Sequence, residues 1–159
     1  MSKPLPLKLP LTLTLLASLF LLGACSDGAR DTHPDKLLTK RLSIFKQFTK
    51  TLEPMGLVAR DRKDYVKAEF VESANALKEL STQPWVYFSA EGNYPPTRAK
   101  PDVWSQPDAF KKATTTYLAA VDQLVAVAGS GDRPAISAAV ETVQKSCKSC
   151  HDQFRSDRS

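Results

Sequence analysis

Beyond residue 34 the chain offers four stretches of helical hydrophobic period and no convincing strand alternation, and this pattern restricts the fold more than any other feature. The first stretch begins near Asp35 and sets Leu38, Leu42, Phe45, Phe48 and Leu52 on one stripe. Pro54 is expected to kink or end it, with Met55–Arg60 as a continuation. The second, about Asp64–Leu80, aligns Val66, Phe70, Ser73, Leu77 and Leu80. The third opens on Ser105-Gln106-Pro107-Asp108, a capping-box-like start with proline in the first turn. Its stripe is Phe110, Ala113, Tyr117, Val121, Leu124 and Ala128. Gly129-Ser130-Gly131 breaks the chain, and Asp132 with Pro134 starts the fourth, which carries Ile136, Val140, Val143, Cys147, Cys150 and Phe154. Residues 35–159 are thus expected to form an all-α, antiparallel four-helix bundle. The first and last connections are short, as antiparallel neighbours require. The middle one, Ser81–Trp104, is long, and its prolines and aromatics (Trp85, Tyr87, Phe88, Tyr94) are expected to pack over the bundle.

Composition narrows the function. With 42% hydrophobic and 25% charged residues in 159, one globular domain is expected, and disordered, collagen-like and multi-span membrane chains are excluded. The formal charge is +5, but Lys3 and Lys8 lie in a segment read as a removable leader. Losing two of 22 basic residues leaves 20 against 17 acidic ones, which gives no case for a nucleic-acid partner. Two histidines and three cysteines cannot furnish a multi-zinc domain or a dense disulfide framework. A Ser-His-Asp triad would have to use His33, in an Asp/Thr/Pro linker, or His151, which has a better explanation below.

Met1–Lys8 is short and basic and precedes an apolar stretch, Leu11–Leu22. As a helix that stretch is roughly 18 Å long, against about 30 Å of bilayer hydrocarbon, so residues 1–24 read as a signal peptide rather than a permanent span. Its end, Leu22-Gly23-Ala24-Cys25, resembles the bacterial lipobox, which implies cleavage before Cys25 and acylation of that residue. Two or three acyl chains anchor a protein stably where one does not. Ser26 permits the outer membrane by resemblance to sorting rules in some bacteria. Residues 25–34 then read as the lipidated N-terminus and its tether, exported to an oxidising compartment.

The chemistry lies in Cys147-Lys148-Ser149-Cys150-His151. Cysteines three apart project from one helix face, so both sulfurs can add to the vinyl groups of one porphyrin. His151 follows directly and can bring its imidazole under the iron as proximal ligand. A redox-active Cys-x-x-Cys pair would usually sit near a βαβ pattern, and none is visible. A zinc site lacks a second ligand pair, and a disulfide within one helical turn would constrain little.

The position of the motif, at the extreme C-terminus on the last helix of a bundle, resembles the class II c-type cytochromes, the cytochrome c' (cytochrome c prime) family. The resemblance runs from about Lys36 to Arg155. It rests on Cys147 through Phe154 and Arg155, on Arg41-Leu42-Ser43-Ile44-Phe45, on Met55-Gly56 and Tyr65, and on Val103-Trp104 with Phe110. It implies one covalently attached haem c per chain, held by Cys147 and Cys150 with iron on His151. Low-spin members carry a methionine where this chain has Phe45, so the resemblance implies five-coordinate, high-spin iron. Met55, ten residues on, is about 15 Å away along a helix and reads as a core filler.

An apolar distal face at Phe45 offers no hydrogen bond to bound dioxygen but admits a small strong ligand. The resemblance therefore implies a periplasm-facing, non-enzymatic cytochrome that binds nitric oxide or carbon monoxide, or passes electrons to a redox partner protein. The alternatives are a low-spin electron carrier with a methionine sixth ligand and, ranking last, a haem enzyme acting on nitric oxide or peroxide. Arg155, four residues after His151, is expected on the same helical face, and by the same resemblance lies against the proximal haem face. Arg41 shares a face with Phe45 and is expected to pair with a haem propionate. Family members often dimerise through the first two helices, which leaves a homodimer open.

Overall fold

The computed structural model describes residues 30–157; the leader and Cys25 lie outside them. Four long helices, α1 (Leu37–Ala59), α2 (Lys67–Ser81), α4 (Pro107–Val127) and α5 (Arg133–Phe154), form the bundle, with a single-turn α3 (Asp102–Ser105) before α4. Each long helix packs against two others, in the cyclic order α1, α2, α4, α5. Neighbours run antiparallel. Tyr65, just before α2, donates to the Ala128 carbonyl just after α4 at 2.8 Å, and Ser137 early in α5 donates to the Ala59 carbonyl ending α1 at 3.1 Å. Among the described residues no helix is long and apolar enough to cross a membrane.

The core is built from Phe48, Met55, Phe70, Leu77, Val121, Leu124, Ile136, Val140 and Val143. Each large side chain sealed there contributes about 1.5–3 kcal/mol relative to exposure. Gly56 faces α5, and a Cβ there would stand 2.9 Å from Gln144 Nε2, at the end of a side chain that can shift. Gly131, with φ of 79°, supplies the left-handed turn into α5. The Asp132 side chain then caps α5 by accepting from the Ala135 amide at 3.2 Å.

Three local expectations are narrowed or changed. Pro54 does not end α1, which runs unbroken to Ala59 with Met55–Ala59 as its continuation. The carbonyl it leaves unbonded belongs to Lys50, an exposed residue, while Met55 and Val58 beyond it are buried and hold the helix on course. The buried face of α1 is also rotated from the apolar stripe: Leu42 is 47% exposed, whereas Arg41 is 2% exposed. Third, Ser105 caps no helix, because its amide bonds to the Pro101 carbonyl at 3.0 Å inside α3 and Gln106 begins α4 without a side-chain cap.

The long connection packs over one end of the bundle, as its aromatics suggest. Two 3-10 turns, Trp85–Phe88 and Ala90–Gly92, lead into it. Its far arm pairs with the end of α5. The Lys100 amide donates to the Phe154 carbonyl at 2.9 Å, the Ser156 amide donates to the Arg98 carbonyl at 2.8 Å, and Ala99 and Arg155 form an antiparallel bridge. The residues just before α1 are fastened to the same end. Asp31 accepts from the Thr39 amide (2.8 Å), the Thr39 hydroxyl (2.7 Å) and the Tyr94 hydroxyl (3.0 Å), and His33 stacks on Tyr94 at 4.5 Å. Tyr94 in turn accepts from the Leu38 amide at 3.0 Å, so one carboxylate and one phenol satisfy two free donors of the first turn of α1.

Candidate functional site

The apolar face of α5 is sealed at Ile136, Val140 and Val143 and ends, about one and two turns on, in two thiols. Cys147 and Cys150 are half-buried and unbridged. Burial pushes the Cys147 thiol up to about 11, with Cys150 beside it adding to the effect. Burial likewise raises Cys150, against the pull of Arg155. At neutral pH both sulfurs are protonated. His151 moves the other way. Burial lowers its imidazole to about 4, helped by the charges of Arg155 and Arg98 and opposed by Asp152. The ring is neutral at physiological pH, with a lone pair available to a metal.

The aromatic residues link this turn to α1. Tyr117 lies beside Cys147 and stacks on Phe48 at 5.5 Å. Phe48 meets Phe45 edge-on at 5.4 Å, and Phe45 meets Trp85 at 6.0 Å and Phe88 at 6.2 Å. Phe88 contacts Phe110 at 5.1 Å, and Phe110 contacts Phe154 at 5.2 Å. A continuous aromatic lining thus runs from Phe45 on α1, through the long connection and α4, back to the last turn of α5.

The two arginines are placed differently from one another. Arg41 is buried, with Nη1 donating to the carbonyls of Tyr87 (3.0 Å) and Gly92 (3.1 Å) and Nη2 donating to the Thr97 hydroxyl. Arg155 does not continue the face of His151. The helix ends at Phe154, Arg155 turns extended to pair with Ala99, and its side chain is exposed. Its charge nonetheless acts on the imidazole. Met55 is 1% exposed in the core, on the same unbroken helix as Phe45. Sequence reasoning missed Thr97 and Arg98. No local signal marks them, since both reach the site through pairing with residues 56 and 58 positions away.

This donor set suits a covalently held porphyrin. Two free thiols share a helix face, a neutral imidazole follows them, and the walls are aromatic. The Tyr117 hydroxyl, buried beside Cys147, also has no hydrogen-bond partner among the described residues. A four-helix bundle with a Cys-x-x-Cys-His turn at the end of its last helix is a c-type cytochrome of the bundle class. A family profile, Cytochrome C', matches residues 36–155, and the chain belongs to that family, whose members carry one covalently attached haem c per chain. The chain is 30% identical over 124 residues to the cytochrome c' of Alcaligenes xylosoxydans xylosoxydans, covering 77% of this chain and 94% of that protein. It is 48% identical to the Rubrivivax gelatinosus cytochrome c' over 59 residues, 37% of this chain and 46% of that one. The crystal structure of the Rubrivivax gelatinosus protein superposes with a TM-score of 0.74 at 30% identity, covering 80% of this chain and 100% of that one. A nitric oxide complex of a variant of the Alcaligenes xylosoxidans protein gives 0.75 at 27% identity, covering 81% and 100%.

Proposed function

We propose that this chain is a periplasm-facing cytochrome c' that binds diatomic gas at a five-coordinate haem. Cys147 and Cys150 hold the porphyrin by thioethers and His151 supplies the proximal nitrogen. The haem, when bound, supplies an iron whose open face takes nitric oxide or carbon monoxide. The observation that carries this reading is the environment of Phe45, whose ring meets the rings of Phe48, Trp85 and Phe88. None of these offers a lone pair to iron, so that face excludes water and favours a small apolar ligand. Solved relatives with nitric oxide and with carbon monoxide bound support it. The burial of Met55 counts against a low-spin carrier with methionine as sixth ligand. On this reading the chain binds gas and passes electrons and is not an enzyme.

Arg41 holds the connection that carries Trp85 and Phe88, and a propionate contact would draw on the same guanidinium. Arg155 lends charge beside the proximal imidazole. Residues 1–24 act as the leader, residues 25–34 as the acylated N-terminus and tether, and residues 35–159 as the bundle. The test is the optical spectrum of the reduced protein with and without nitric oxide. A broad high-spin Soret band that shifts on adding the gas is expected, and a sharp split low-spin spectrum indifferent to it would overturn the reading. Detergent phase partitioning of wild-type against Cys25→Ser checks the anchor.

A further inference from the structure

Asp31 fastens the chain six residues after Cys25, and the point of attachment is one end of the bundle. Its partners, Thr39 in the first turn of α1 and Tyr94 in the long connection, adjoin Thr97, which binds Arg41, and the Arg98–Ala99 segment that pairs with the end of α5. Cys150 and His151 lie in that last stretch of α5. The opposite end holds the α1–α2 turn with exposed Arg62. The two ends are separated by the 23 residues of α1, about 34 Å.

Six residues of fully extended chain span about 20 Å. A lipid anchor at Cys25 therefore reaches the Asp31 end of the bundle but falls short of the other. We propose that the Asp31–Tyr94 clasp makes the connection end of the bundle, which carries Cys150 and His151, the face held against a lipid bilayer. This rests on the reading of Cys25 as acylated. The clasp, not the length of the N-terminal segment, sets the orientation. Without it the chain would be free back to Leu37, twelve residues or about 40 Å, and either end would reach the surface.

The test uses the full-length acylated holoprotein in vesicles of phosphatidylethanolamine and phosphatidylglycerol doped with a maleimide-headgroup lipid. A single added thiol is placed at an exposed site on either end, Asn93→Cys or Arg62→Cys. Asn93→Cys is expected to couple to lipid at least tenfold faster than Arg62→Cys, while both react alike with a soluble maleimide. Adding Asp31→Ala, alone or together with Tyr94→Phe, should bring the two lipid rates to within about twofold. Protein that sediments with vesicles yet couples equally from both ends overturns the orientation and leaves the anchor standing. Protein that does not sediment with vesicles overturns the anchor and the orientation with it. A preference that survives both clasp variants assigns the orientation to another contact and overturns the role of Asp31.

Discussion

Arg41 lies over the ring of Phe88, its guanidinium carbon 4.5 Å from the ring centroid. The contact ties α1 to the long connection one turn before Phe45. Burial lowers the pKa of this arginine, with Tyr94 and Asp31 acting in the opposite sense, but a guanidinium stays charged. It therefore acts as a charged pin under a loop. Arg41→Met should cost about 3 kcal/mol in urea unfolding, because the carbonyls of Tyr87 and Gly92 lose a charged donor. Arg41→Lys should recover only part of this, since a single ammonium cannot span both carbonyls and Thr97.

Phe45 is only half-buried, so Phe45→Ala should cost about 2 kcal/mol, below the range for a fully buried ring. Its larger effect is expected at the iron, with faster carbon monoxide association in stopped flow. Phe45→Met offers a thioether at the same place and should move the spectrum toward six-coordinate, low-spin iron. A variant series that leaves both rate and spectrum unchanged would place the distal face elsewhere.

The thiols give a readout of attachment. In protein made without haem, Cys147 should resist alkylation at pH 8, since burial holds the thiol up to about 11 and the thiolate is scarce below that. Denaturant should release it to react at the ordinary rate. In the mature protein the haem should stay with the polypeptide through acid-acetone extraction, and loss to the organic phase would refute the thioethers. Cys147→Ala should weaken that retention.

Acid should open the clasp at a defined point. Desolvation raises the Asp31 carboxyl, but the hydrogen bonds from Thr39, Tyr94 and His33 outweigh it and hold the group at about 2. Its folded pKa lies below the ordinary carboxylate value, so its contribution is complete above about pH 4 and is lost as pH falls toward 2. The amides of Leu38 and Thr39 should lose hydrogen-exchange protection across that interval, and Asp31→Ala should abolish the transition.

What the sequence disclosed followed the range of the interactions. The bundle was legible because each helix writes its own period, and the Cys147–His151 turn was legible because five consecutive residues carry it. The rotated face of α1 was not. Arg41 is buried and Leu42 exposed because a connection some fifty residues away closes over one side of the helix. The clasp was hidden for the same reason, its partners Asp31 and Tyr94 being 63 positions apart. Val66 counted as a stripe residue but stands just before α2, 46% exposed. Periodicity reports neither where a helix starts nor what a distant loop covers.

The last turn of a C-terminal helix is ordinarily the first to fray, because its carbonyls face only water. Here the Phe154 carbonyl is held by the Lys100 amide, the Asp152 carbonyl by the Lys100 ammonium, and the His151 carbonyl by the Arg155 amide. Thermal excursions of the imidazole are therefore governed by the middle of the chain. Truncation or loosening near residue 100 reaches residue 151 as directly as a change beside it. Positional fidelity at the end of α5 is inherited from a loop that supplies neither thiol nor imidazole.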